Sequence, residues 1–200
     1  MQRKLIAALF ATFPLVAAAQ SSVTVYGVMD AAVSVEDTDA PNTGRNTVLN
    51  SGNQSSSRLG FRGTEDLGNG LKAMFNIEAG VALDTGAADS SLFGRRSVVG
   101  LEGRFGLVTA GREYTPVSAV AAMSDPLGQG FYGSNLSAFS TSRLTRRISN
   151  SVNYKSSSMS GFKMGAAYGF GERNADQPSG DLMGASLEYA AGALSLGGGY

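Results

Sequence analysis

Residues 57–78 read SRLGFRGTEDLGNGLKAMFNIE. Leu59, Phe61 and Gly63 hold the odd positions, with Arg58, Arg62 and Thr64 between them. Beyond a five-residue turn, Asp66–Gly70, the alternation resumes. Leu71, Ala73, Phe75, Ile77, Ala79 and Val81 share one face, and Lys72, Met74, Asn76 and Glu78 share the other. A period of two over this length belongs to strands, because successive side chains of an extended chain point to opposite sides. Asp, Asn and Gly reach positive φ at low cost, so the segment is a hairpin with a short connection. One face of it is apolar and the other is charged.

The same period runs outward in both directions. Val23, Val25, Met29, Val33 and Val35 oppose Thr24, Tyr26, Asp30 and Ser34, which predicts one long first strand. Ser97, Val99 and Leu101 lead through a turn at Glu102–Arg104 into Phe105–Gly111. Ile148, Val152 and Tyr154 oppose Arg147, Ser149, Ser151 and Asn153. Phe162, Met164, Ala166, Tyr168 and Phe170 form a further face, then Met183, Ala185, Leu187 and Tyr189, and a last strand begins at Leu194. The connections alternate in length. Asp66–Gly70, Glu102–Arg104, Ser156–Gly161 and Ala190–Ala193 are short; Glu36–Ser56, Ala82–Gly94, Tyr114–Arg146 and Gly171–Gly180 are long.

Composition narrows the chemistry. The 200 residues include 27 glycines but no histidine and no cysteine. That excludes a serine–histidine dyad, a cysteine nucleophile and a zinc site of imidazole or thiolate ligands. No paired-acid motif stands out, no cofactor or metal is implied, and an enzyme is not expected. Residues 1–20, MQRKLIAALFATFPLVAAAQ, read as a secretory signal peptide: Arg3 and Lys4, an apolar core from Leu5 to Val16, and small residues at Ala17–Ala19 for cleavage. The core is too short to span a bilayer as a helix. Removing Arg3 and Lys4 from the 16 basic residues leaves 14 against 16 acidic ones, a near-neutral chain with no basic surplus to suggest a nucleic-acid partner.

A soluble sandwich also alternates, but its strands average about five to six residues. Strands of about ten, short turns at one end and long loops at the other match a β-barrel crossing a membrane at a tilt. On that reading the apolar face meets lipid and the charged face meets water. Phe61, Phe75, Tyr154, Phe162, Tyr168, Phe170 and Tyr189 sit near strand ends, where an interfacial girdle is placed. A secreted soluble β protein and a small plugged barrel of structural or adhesive role are the alternatives.

SSVTVYGVMDAAV, SRLGFRGTEDLGNGLKAMFNIEAG, FGRRSVVGLEGRFGLVTAGREY and NSVNYKSSSMSGFKMGAAYGFGE, covering most of residues 21–172, resemble the general porins of beta-proteobacteria, the neisserial and Burkholderia type. The resemblance implies an all-β antiparallel transmembrane barrel of about sixteen strands. It also implies a homotrimer in the outer membrane, reached by export through the periplasm. The third long loop, here Tyr114–Arg146, would fold into the lumen and narrow it. Ions and small hydrophilic solutes would diffuse through, and lipid and further copies of the chain would be its partners. About eight strands and a ninth ending at Tyr200 fall within residues 21–200, so the chain is expected to be the first part of such a barrel.

Arg58, Arg62, Lys72 and Glu78 lie on the polar face by parity. Matching by motif, the resemblance points to Arg58, Arg95, Glu78 and loop residue Asp125 as opposed charges at the narrowest point. Alternation from Val99 and Leu101 selects Arg96 instead of Arg95, and both stay open. Arg147 is expected on the face of Asn153, a slot that often carries a basic residue in the resembling porins.

Overall fold

The structure, a computed structural model, describes residues 22–37, 44–88, 91–130, 134–140, 144–171 and 180–200. The expected signal peptide, residues 1–20, lies outside them. The strands are β1 (Ser22–Val28), β2 (Ala31–Glu36), β3 (Asn46–Ser51), β4 (Arg58–Gly68), β5 (Leu71–Gly80), β6 (Arg96–Gly103), β7 (Gly106–Tyr114), β8 (Arg147–Lys155), β9 (Phe162–Gly169), β10 (Leu182–Ala191) and β11 (Leu194–Gly199). A helix, α1 (Pro116–Ser124), and a short 3-10 helix, Asn135–Ser140, lie between β7 and β8. Among the described residues nine strands form one antiparallel sheet in the order β1-β4-β5-β6-β7-β8-β9-β10-β11, and β2 pairs with β3. Strand β4 has 11 residues and β5 has 10, long enough to cross a bilayer at a tilt.

The first strand is not continuous. It breaks at Met29–Asp30, and the segment expected to be a loop from Glu36 to Ser56 contains β3. At the break Asp30 bonds away from the main ladder: its N–H donates to Ser57 Oγ at 3.0 Å and its carboxylate accepts from Gln54 and Ser55. Parity survives the break, since Val33 and Val35 stay as exposed as Val23 and Val25, so alternation alone could not reveal it. The β4–β5 turn is also tighter than expected. β4 continues to Gly68 and only Asn69 and Gly70 connect the strands, both at positive φ (55° and 78°), as a two-residue hairpin turn requires.

Burial is inverted relative to a soluble protein. Asn76, Glu78, Thr109, Glu113, Ser151, Asn153 and Ser186 are buried, while Val23, Val25, Val99, Leu187 and Met183 are exposed, Met183 by 71%. Apolar side chains turned outward and polar ones inward are what a sheet needs when its outer solvent is hydrocarbon. Ile148 departs from its expected face. Between Gly111/Ser151 and Glu113/Ile148, β7 advances two residues while β8 advances three, and Asn150 takes φ 50°. This bulge reverses parity, so Ile148 is buried on the same side as Ser151 and Asn153. Arg147 therefore does not share the face of Asn153 by alternation. It pairs instead with Tyr114.

The connection after β7 folds against the inner face. Thr115 caps α1 by accepting from Ser118 N–H at 3.2 Å, and Pro116 occupies the first turn. The helix lies against β9, β10 and β11. Close approach depends on glycine: a Cβ at Gly199 would meet Val117 Cα at 3.1 Å, and one at Gly184 would meet Pro116 Cδ at 3.2 Å. At its other end the segment reaches the residues before β4, where a Cβ at Gly130 would lie 3.1 Å from Gln54 O. One loop touching both flanks means that the sheet curls around it, as a barrel wall does.

Candidate functional site

Strand register assembles the site. Tyr26 pairs with Gly60, Gly60 with Glu78, and Glu78 with Arg96, which sets one row across β1, β4, β5 and β6. With no side chain at Gly60, the Tyr26 ring crosses β4 and its hydroxyl donates to Glu78 Oε2 at 2.9 Å, with Asn76 Oδ1 3.1 Å away. Arg95 stands just before β6. Its N–H donates to Glu78 O at 3.2 Å, and its Nε donates to Glu78 Oε1 at 2.7 Å. Arg58 completes the acid's surroundings, with Nε 3.8 Å from Glu78 Oε2.

A second acid lies one step along. Glu113 is only 1% exposed, the most enclosed large side chain among the described residues. Arg96 donates to Glu113 Oε2 through Nε at 3.0 Å and through Nη2 as well, while Tyr114 N–H donates to Oε1 at 2.9 Å. Lys155 Nζ is 3.9 Å from the same carboxylate. A carboxylate this deep needs partners for both oxygens, and here both accept hydrogen bonds.

Tyr114 links these acids to the inserted loop. Its hydroxyl accepts from Arg95 Nη2 at 3.3 Å and Arg147 Nη2 at 3.1 Å, and its ring lies under the guanidinium groups of Arg147 and Arg146 at 4.7 and 5.5 Å. Arg146 also donates to Gln129 Oε1 at 2.9 Å. Burial lowers the Arg146 guanidinium from its ordinary value, but an arginine remains charged. Arg58, Arg95, Arg96 and Lys155 thus contact two carboxylates, and Tyr114 joins Arg146 and Arg147 to them. Arg58, Arg95, Arg96, Arg146 and Lys155 border a cavity of about 450 Å³ whose other wall is the loop, at Ser118, Ala119, Ala122, Gly128 and Gln129. A larger groove, about 650 Å³, is lined by outward-facing Val23, Phe75, Val99 and Val152, and has no comparable charge cluster. No three acidic side chains come together to hold a metal ion among the described residues.

Of the residues singled out from sequence, Arg58, Glu78, Arg95 and Arg96 come together, and Arg147 joins them through Tyr114. Arg95 and Arg96 both turn to acids, because Arg95 precedes the strand and escapes its alternation. Arg62 stands apart, its guanidinium over the Tyr26 ring at 5.2 Å from the centroid. Lys72 pairs in register with Asp66 and Glu102, toward the short-turn end. Asp125 is committed elsewhere: its carboxylate accepts from Leu127 N–H and Asn135 N–H, both at 2.8 Å, and it is not among the cavity-lining side chains. Those amide bonds, Asn135 first, hold its carboxyl below the ordinary carboxylate range. Sequence reasoning missed Glu113, Tyr114, Arg146 and Lys155 as members of the cluster. Glu113 was available from parity with Thr109, whereas Tyr114 and Arg146 flank the loop where no period applies.

The Gram-negative porin family model matches residues 6–200. The chain belongs to the Gram-negative porin family. An outer membrane porin protein of Bordetella pertussis is 34% identical across 96% of this chain and 54% of its own length. Outer membrane porin protein 32 of Delftia acidovorans is 36% identical across 98% of this chain and 58% of its own. Among solved structures, the anion-selective porin from Comamonas acidovorans is 34% identical, covers 89% of this chain and 56% of that one, and superimposes with a TM-score of 0.79. The chain therefore spans about half the length of the curated relatives it matches. As a porin chain it is a part of a transmembrane β-barrel of the outer membrane, from a family of channels and not of enzymes.

Proposed function

We propose that this chain forms the charged wall and inserted loop of a passive diffusion channel for ions and small hydrophilic solutes, with anions favoured. On this reading residues 1–20 direct export, residues 21–200 contribute strands to a closed barrel, and the working unit is a homotrimer. The observation that carries the proposal is the cluster of Arg58, Arg95, Arg96 and Arg146 with Glu78 and Glu113, facing the loop across one cavity, with Arg147 joined to it through Tyr114.

The physics is electrostatic. Fixed charges in a narrow aqueous space with low-dielectric walls produce a potential that water screens poorly, so a solute's sign changes its local concentration. Glu78 holds Arg95, Glu113 holds Arg96, and the two acids offset part of the arginine charge. The remaining positive surplus attracts anions and repels cations. The relative of known structure described as anion-selective supports the same sign. Liposome swelling with three solutes of equal size, one anionic, one neutral and one cationic, tests the proposal. The expected order of entry is anion, neutral, cation. The reverse order would exclude the arginine cluster as the selecting element.

A further inference from the structure

Asp30 stands outside the cavity, yet its bonds lead to it. Its Oδ2 accepts from the N–H groups of both Gln54 and Ser55, at 2.9 and 2.7 Å. Its carbonyl oxygen accepts from Gly52 N–H at 2.8 Å and from Ser57 Oγ at 2.9 Å, and its own N–H donates to Ser57 Oγ. One residue at the β1–β2 break thus holds four points of the return segment between β3 and β4. That segment has no ladder of its own. An ionised carboxylate is a stronger acceptor for two amides than a neutral oxygen.

The same segment seats Arg58. Arg58 Nη1 donates to Ser55 Oγ at 3.0 Å and to Ser56 O at 2.9 Å. Its distance to Glu78, 3.8 Å, is too long for a hydrogen bond, so the two acceptors on the return segment fix the guanidinium and the acid does not. A long arginine side chain without such acceptors samples many rotamers. We propose that Asp30 is a positioning residue for ion selection: by folding residues 52–57 it places the Arg58 guanidinium at the cavity. This rests on the channel reading above, but it concerns where Arg58 sits and can be measured without ion flow.

The test uses a charge-matched pair, Asp30→Asn and Asp30→Ala, in outer membranes carrying the protein. Both variants remove the same charge, but only Asn retains an oxygen where Gln54 and Ser55 donate. The first readout is modification of Arg58 by phenylglyoxal, followed by mass spectrometry. Asp30→Ala should be modified at Arg58 several-fold faster than the parent, and Asp30→Asn at close to the parent rate. The second readout is reversal potential in a salt gradient, where the two variants should differ with Arg58 present and coincide in an Arg58→Gln background. Should Asp30→Ala fail to fold, Ser55→Ala keeps the Asp30 backbone contacts, removes one acceptor and should also speed modification. Equal Arg58 modification in all variants overturns the proposal, as does a difference in reversal potential that persists with Arg58→Gln. A protein that conducts nothing, yet shows the modification pattern, would refute the channel reading and leave the positioning role standing.

Discussion

The hydroxyl of Tyr26 meets Glu78 Oε2 at 2.9 Å although a whole strand lies between them, and Gly60 is the gap that permits it. A Cβ at Gly60 would sit 2.5 Å from Tyr26 Cζ. Gly60→Ala should therefore lift the ring and break its bond to Glu78. The expected loss is about 1–3 kcal/mol, the usual range for overpacking, read as a lower unfolding midpoint in detergent. Tyr26→Phe removes the bond without the clash and should lose less.

Glu113 offers a second test. Glu113→Gln would leave the Arg96 guanidinium, 21% exposed at the cavity, against a neutral group, at a cost of about 1–3 kcal/mol. Replacing Arg96 by Met in the same chain should recover part of that stability. A double-mutant cycle on unfolding free energies checks both statements.

Asp125 predicts a pH response with a definite sign. Its carboxyl is held below the ordinary value by amides of the folded loop, so its contribution is complete above about pH 4, the ordinary carboxylate value, and is lost as pH falls through the depressed one. Amide exchange at Leu127 and Asn135 should stay protected from pH 7 to 5 once corrected for intrinsic rates. Protection should vanish only in stronger acid. Asp125→Ala should remove it at every pH.

The seat of α1 separates two glycines. A Cβ at Gly197 would press on side-chain atoms, Met123 Cε at 2.6 Å and Val120 Cγ1 at 3.1 Å, whereas one at Gly199 would press on the backbone of Val117. Gly197→Ala should be tolerated and Gly199→Ala should dislodge the helix. Since the chain has no cysteine, Ala122→Cys gives a unique thiol whose labelling rate reports that displacement.

Much of the wall was legible because its two solvents differ. Leu59, Phe61, Phe75 and Ile77 could face only hydrocarbon while Arg58 and Glu78 faced water, and the period of two records that contrast. Parity gives a side but not a height, however. Arg62 and Lys72 share the parity of Arg58 and Glu78 yet lie off the cluster, because only strand register sets their level. Parity also passes through the break at Asp30, and it fails at the Asn150 bulge, where one extra residue turns Ile148 inward. Asp125 was placed by a motif alone, and its carboxylate bonds to loop amides that no sequence pattern announces.

In the proposed channel the arginine cluster sets ion preference, and a reversal potential reads that preference out. The protein, reconstituted in a planar bilayer under a salt gradient, should reverse at a voltage of anion-preferring sign. Arg58→Gln should move that voltage toward cation preference without abolishing conductance. A reversal potential of cation-preferring sign in the parent protein, or one unmoved by Arg58→Gln, would mean that the arginine cluster does not select ions.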